Sequence, residues 1–403
     1  MSRLIYRCFF YFLGWGLVII LTVFSVASLP GHKQNISPLM TELRGVWLTN
    51  VASGVLFMPW ALDRALSQLS ALNFNTVYPV VWNRGYTFYN SAVAKKVTGS
   101  ETEPLLSFMH GGKDSLTNLV KIAKTKGLSV IPWFEYGFMA PANSALAREH
   151  PTWLAGINVI KSSPLEEINS DFPIQQAWLN PLHPQVQKFI QGLILEVISN
   201  YDVDGIQLDD HFGMPVQFGY DRFTVQLYQR EHQGKKPPTD PFNPEWMHWR
   251  ADKITNFVAQ IRKSVKAVKP QAKISLSPNS QAFAYKYYLQ DWETWVKKGL
   301  LDELILQAYR DNQKTFISEL EQPAIELART KIPVAIGIST GTFYNPVNIA
   351  QIKKQVQIVR DRNFQGVSFF YWDSLWGYIA PESPRQRRQA FLKMFAAKAI
   401  RPL

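Results

Sequence analysis

From Leu43 to the C-terminus, short runs rich in β-branched and aromatic residues alternate with longer stretches of helical periodicity, and the pair recurs eight times. Such alternation argues for parallel strands joined by crossover helices. The predicted strands are residues 44–50, 76–82, 128–134, 203–208, 273–277, 303–307, 333–338 and 366–371. Between them, Leu62, Ala65, Leu66 and Leu69 recur at helical spacing, and a second helix is predicted from Asp114 to Gly127. Further helices are predicted over 185–200, 314–329 and 349–362, with a basic terminal helix. The fold expected is α/β, a single (β/α)8 TIM barrel over residues 43–403, with long loops after the third strand (136–184) and the fourth (213–244). An open doubly wound sheet would need a Gly-x-Gly-x-x-Gly turn after the first strand, where Asn50-Val51-Ala52-Ser53-Gly54 stands instead.

Barrels of this kind keep their chemistry where strands end. Polar and aromatic residues gather at those places here. Asn50 ends the first strand, Trp82-Asn83-Arg84 the second, and Glu135 follows Trp133-Phe134 on the third. Asp209-Asp210-His211 end the fourth, Ser277-Pro278-Asn279 the fifth, Gln307 and Tyr309-Arg310 the sixth, and Tyr371-Trp372-Asp373 the eighth. On the fourth strand, alternation puts Gln207 and Asp209 on one face and Ile206 and Leu208 on the other. The apolar pair should pack on helices, so Gln207 and Asp209 should face inward. Asp209 is then the candidate nucleophile or cation stabiliser, with Asp210 beside it as a second catalytic or loop-bracing carboxylate. Glu135 shares a face with Trp133, and desolvation there would raise its pKa, as a general acid requires. The bland alternative for Glu135 is an ion pair with Arg84 or Arg310; Asp373 competes for the acid role. Asn50, Asn83, Gln207, His211, Gln307, Tyr309 and Asp373 are expected to orient substrate, and Trp82, Trp133 and Trp372 to stack on sugar rings.

Other chemistries fit less well. Asp209-Asp210-His211 could suggest a divalent metal, yet no H-x-H or H-E-x-x-H spacing accompanies it, so no metal is expected. No Gly-x-Ser-x-Gly elbow is present. The single cysteine, Cys8, excludes disulfides and thiolate sites in the rest of the chain. The formal charge of +12 attracts anionic polymers, but the basic residues are scattered and no nucleic-acid-binding motif is present.

The N-terminus is set apart by composition. Arg3 and Arg7 precede an uncharged run from Cys8 to Ala27. A run of about 20 residues suits a spanning helix, while Ser25-Val26-Ala27 offers small residues for cleavage. Residues 1–29 are therefore expected to be a membrane anchor or a signal peptide, and 30–42 a linker. Either would export the rest of the chain and make it periplasmic or extracellular.

Several of these motifs together resemble the glycosyl hydrolase-like 10 family. They are Arg44-Gly45-Val46-Trp47, the stretch from Gly127 to Glu135, the run from Val203 to Phe212, Ser277-Pro278, and Phe369-Phe370-Tyr371-Trp372. The resemblance covers nearly the whole chain after residue 42, and the Asp-Gly-x-x-x-Asp-Asp run is its most specific motif. It implies a catalytic barrel and polysaccharide substrates, cell-wall glycan strands among them, with Asp209 and Asp210 as the family's Asp pair. The sequence departs from the family's pattern at Glu135, where relatives often carry an amide, and at His211, where they often carry Tyr. The function expected is hydrolysis of O-glycosidic bonds in an envelope or extracellular polysaccharide, with no cofactor. The alternatives are a membrane-tethered glycan-binding protein on a dead barrel and, more remotely, a metal-dependent hydrolase or deacetylase.

Overall fold

A computed structural model of the chain describes residues 40–157, 176–342, 345–377 and 380–402. The expected anchor or signal at 1–29 lies outside the described residues, as does most of the expected linker. Among the described residues, no helix is long and apolar enough to cross a membrane.

Nine strand segments form one parallel sheet. They are β1 (Leu43–Leu48), β2 (Thr76–Pro79), β3 (Ser129–Val130), β4 (Trp133–Phe134), β5 (Gly205–Asp209), β6 (Lys273–Ser277), β7 (Glu303–Gln307), β8 (Val334–Ser339) and β9 (Gly366–Phe370). Their order in the sheet is β3-β2-β1-β9-β8-β7-β6-β5-β4. The two terminal segments are thus consecutive in the chain, halves of the third predicted strand divided at Ile131-Pro132. Proline has no N–H to give the ladder. The run is nevertheless bonded on both sides. Ile131 N donates to Val77 O at 3.0 Å and Val81 N to Trp133 O at 2.9 Å; from the other flank, Asp204 N donates to Val130 O and Gln207 N to Pro132 O, both at 2.8 Å. The sheet therefore curls until its two ends meet on one piece of chain.

Helices cover the outside. The principal ones are α1 (Pro59–Ala71), α2 (Ser115–Thr125), α3 (Pro184–Asn200), α4 (Pro244–Val268), α5 (Trp292–Lys297), α6 (Pro323–Arg329), α7 (Ile349–Asp361) and α8 (Pro384–Met394). Local chemistry sets their ends. Asp114 caps α2 by accepting from Thr117 N at 2.7 Å, and Gly127 follows at φ +71°. Ser383 and Gln386 form a reciprocal capping box at α8. The strands send side chains such as Val46, Val77, Phe134, Ile206, Ile274 and Ile336 into one continuous apolar core.

Between β2 and α2 the chain carries a hairpin (Trp82–Asn83 with Tyr86–Thr87) and two short helices, Ala92–Thr98 and Pro104–Met109. The loop expected at 213–244 contains a helix, Arg222–Glu231. The linker boundary also moves, because Met40–Thr41 pairs in parallel with Ala399–Ile400. Glu42 is buried beside them, within 2.6 Å of both Arg44 and Arg360.

Inside the curled sheet, below the strand ends, runs a chain of buried polar contacts. Trp47 Nε1 donates to Gln207 Oε1 at 2.7 Å, Gln207 Nε2 to Ser275 Oγ at 3.0 Å, and Ser275 Oγ to Glu303 Oε1 at 2.9 Å. Glu303 also accepts from Tyr78 at 3.0 Å and pairs with Arg401. Gly45 makes room for this layer, since a Cβ there would lie 2.8 Å from the Tyr78 ring. The pair Glu303–Arg401 has side chains only 1% and 10% exposed. Removing one partner strands the other charge. Arg401→Ala is expected to lower stability by about 3–5 kcal/mol, measured by urea unfolding; a loss under ~1 kcal/mol, the range of an exposed pair, would show that solvent reaches Glu303.

Candidate active site

The register of the sheet sets the site. β5 pairs with β4 as Gln207–Trp133 and Leu208–Phe134, and with β6 as Asp209–Ser277. One step beyond Leu208–Phe134, Asp209 and Glu135 sit on neighbouring strands and share the parity of the inward-facing Gln207 and Trp133.

Asp209 is 2% exposed and held on both oxygens. Oδ1 accepts from Ser277 Oγ at 2.7 Å and Gln307 Nε2 at 3.1 Å; Oδ2 lies 3.1 Å from His211 Nδ1. Gln290 anchors the turn by donating to Asp209 O at 2.9 Å. Asp210 Oδ2 accepts from Asn279 Nδ2 at 2.6 Å, while Oδ1 is also 3.1 Å from His211 Nδ1. The same nitrogen lies 3.1 Å from Glu135 O. One imidazole thus knits together both carboxylates and the end of β4. Gly137 is required here: its φ is +48°, and a Cβ would come within 2.4 Å of His211 O.

The electrostatics follow from burial and these contacts. Burial and the neighbouring Asp210 push Asp209 well above the ordinary aspartate value, against the pull of His211. Burial would raise Asp210 too, but the imidazolium and hydrogen bonds outweigh it and hold the group at about 2. Burial opposes the charge on His211, yet the two carboxylates raise it well above its usual value. A protonated imidazole donates its Nδ1 hydrogen to these acceptors. Asp209, Asp210 and His211 also offer ligand atoms within 4.8 Å of one another.

Glu135 is the second carboxylate. Asn83 Nδ2 donates to its Oε2 at 2.6 Å and Thr49 Oγ1 at 3.3 Å, and Asn83 Nδ2 also reaches Asn50 Oδ1 at 2.8 Å. Burial raises it to about 7, with His211, these donors and Arg84 opposing. Of the two arginines offered as ion-pair partners, Arg310 pairs instead with Glu319 at 2.7 Å, and Arg84 acts on Glu135 through its charge without an ion pair among the described residues. Tyr309 lies against Phe370, ring centroids 5.4 Å apart, where burial and then the charges of Asp209, Asp210 and Glu135 raise its hydroxyl's pKa. Asn50, Asn83, Glu135, Asp209, Asp210, His211, Gln307 and Tyr309 are thus brought together at one end of the sheet.

Other expected residues sit elsewhere. Gln207 is fully buried one layer below Asp209, with its amide committed to Trp47 and Ser275, so it braces the floor and has no free group for substrate. Trp82 is fully buried, donates to Gly137 O at 3.0 Å and meets Phe189 of α3 edge-on. The hairpin that follows β2 turns it outward, away from the parity of a strand. Trp372, 1% exposed, packs on Trp376. Trp133, 3% exposed, is wedged between Trp47 and Phe370 as floor. None of the three offers an open ring face. Asp373 is buried, bonds to Ser53 and its own backbone, leaves Oδ2 without a partner, and is raised to about 7 by burial.

The aromatic surroundings came from residues that strand-end reasoning missed. Tyr136 and Trp178 lie 6.2 and 6.1 Å from the His211 ring, and Tyr288 lies 6.1 Å from Trp178. Ser277 and Asn279 were visible at a strand end; Trp178 and Gln290, on distant segments, carried no local signal.

A curled parallel sheet covered by helices, with polar side chains gathered at its C-terminal strand ends, defines a TIM-barrel-like α/β architecture. The chain belongs to the glycosyl hydrolase-like 10 family, whose model matches residues 42–360. It is 25% identical over 308 residues to glycosyl hydrolase YngK of Bacillus subtilis, covering 66% of this chain and 54% of that protein. It is 24% identical over 312 residues to glycosyl hydrolase DigH of Escherichia coli, covering 66% of this chain and 65% of that one. The chain thus spans between half and two thirds of the length of these relatives. In fold it is similar to the PgaB (BpsB) glycoside hydrolase domain of Bordetella bronchiseptica, with a TM-score of 0.63 at 12% identity, over 87% of this chain and 99% of that one. It is also similar to α-L-fucosidase isoenzyme 2 of Paenibacillus thiaminolyticus, with a TM-score of 0.61 at 17% identity, over 88% of this chain and 49% of that one.

Proposed function

We propose that this protein is an O-glycosidase, built on a closed (β/α)8 barrel, that cleaves an envelope or extracellular polysaccharide such as cell-wall glycan. The observation that carries the reading is the pairing of Asp209 with Glu135 at the ends of neighbouring strands, each held by its own set of donors. Glycoside hydrolysis needs one carboxyl that holds its proton and one that meets a developing cation. Glu135, raised to about 7 by burial, suits the first task. Asp209, oriented by Ser277, Gln307 and His211, suits the second. Glu135 delivers its proton to the leaving oxygen as the bond to the anomeric carbon breaks, and Asp209 attacks or stabilises that carbon. Water then completes hydrolysis, with Glu135 as base. Asp210 keeps His211 charged and in place. Adjacent strands favour the shorter carboxyl separation, and hence retention of configuration.

Family membership and the named relatives support the hydrolase class, while the substrate rests on chemistry. Arg3, Arg7 and the uncharged run from Cys8 to Ala27 support export and, where the segment is retained, tethering to the membrane. The test is digestion of peptide-free cell-wall glycan strands and a polysaccharide panel. Products are identified by mass and the first-formed anomer by NMR. Cleavage with retention is expected. Tight glycan binding without any product would favour the glycan-binding alternative.

A further inference from the structure

Arg84 occupies a place that its residue type does not favour. The hairpin Trp82–Asn83 and Tyr86–Thr87 pairs Asn83 with Tyr86, leaving Arg84-Gly85 as a two-residue turn. Both turn residues have positive φ, +53° and +80°. Such turns favour Asn or Gly at the first position, and a long side chain there is conformationally disfavoured. The arginine hydrogen-bonds the Tyr136 side chain but holds no carboxylate. Among the described residues Arg84 has no ion-pair partner, and its half-buried guanidinium leaves Nε without a hydrogen bond. Arg44, Arg310 and Arg387 each have a carboxylate. The charge is nevertheless aimed at the site. Burial raises Glu135 and Tyr136, and the Arg84 charge acts against that rise in both. Beside it, Asn83 Oδ1 is buried and also unpartnered.

We propose that Arg84 is a specificity-determining residue, binding a carboxylate carried by the sugar that sits against Glu135. A guanidinium without a protein anion matches a substrate carboxylate in two-pronged geometry. The net charge of +12 would draw such a polymer in. The inference takes from the glycosidase reading only the location of the glycan. The shared chemistry is a carboxylate, present as the lactyl ether of cell-wall amino sugars or as the ring carboxyl of uronic acids.

The test measures binding by calorimetry with peptide-free cell-wall glycan fragments and with oligogalacturonate, each beside its carboxyl-reduced counterpart. For one of the two sources, the protein is expected to bind the carboxylated form about ten- to a hundredfold more tightly. In Arg84→Gln that ratio should collapse towards one, and Arg84→Lys, which keeps the charge but not the fork, should hold an intermediate ratio. Lowered affinity of Arg84→Gln with an unchanged ratio would overturn the proposal, because a merely structural or electrostatic role touches both forms alike. No preference in the unmodified protein for either source would overturn it as well. Preferential binding without cleavage would leave the anion site standing and remove the glycosidase reading instead.

Discussion

Asp209→Asn is expected to lower kcat on the order of 10^4-fold, the scale seen when an enzyme loses its nucleophile, while leaving fold and glycan affinity close to those of the unmodified protein. The substitution conserves shape but removes the charge that, in the proposed mechanism, meets the anomeric carbon. It also creates a small conflict. Asp209 accepts on both oxygens, from Ser277 and Gln307 on one side and His211 on the other. An amide has one acceptor, so its NH2 must face either Gln307 or His211, each a donor. That mismatch costs about 1–3 kcal/mol, partly offset because a neutral amide does not bear the desolvation that raises Asp209. Thermal melting and glycan affinity should therefore change little beside the loss of turnover. Asp210→Asn supplies the contrast. Asp210 engages Asn279 and His211, so its loss should loosen the imidazole and reduce kcat by less than Asp209→Asn does. If Asp209→Asn turns over at close to the normal rate on a cleaved substrate, the nucleophile assignment is wrong.

The sequence made the strands legible because each is a short β-branched run ending in polar residues. Lys273–Ser277 and Glu303–Gln307 match their expected bounds. Parity along the fourth strand placed Gln207 and Asp209 inward, but parity does not measure depth. Only the stagger of neighbouring strands shows that Gln207 lies a layer too low to meet substrate. The tryptophan expectations failed for a related reason. Trp82 and Trp372 lie just past their strands, where a hairpin and a short helix reset the side-chain direction. Long-range partners left no local trace. Nothing near Glu303 announces Arg401, 98 residues away, and Trp178 reaches His211 from a different loop.

Glu135→Gln should separate proton donation from every other role of the site. With a poor leaving group, kcat/KM is expected to fall about 10^2- to 10^4-fold. With a nitrophenyl glycoside, whose leaving group needs little protonation, the loss should be far smaller. The pH profile adds a sharper reading. In the unmodified protein, activity should fall above about 7 as Glu135 loses its proton, and fall in acid as Asp209 gains one, at a pH above the ordinary aspartate range. Glu135→Gln should lose the basic limb and keep the acidic one. Stability should respond as well. Glu135 is raised in the folded state from 4.5 to about 7, so its contribution is complete below 4.5 and is lost as pH rises through 7. The loss is on the order of 1–3 kcal/mol, and Glu135→Gln should flatten that part of the stability curve. Asp373 provides the counter-case, since burial also raises it to about 7. A basic limb that persists near 7 in Glu135→Gln and disappears in Asp373→Asn would move the general acid from the third strand end to the eighth.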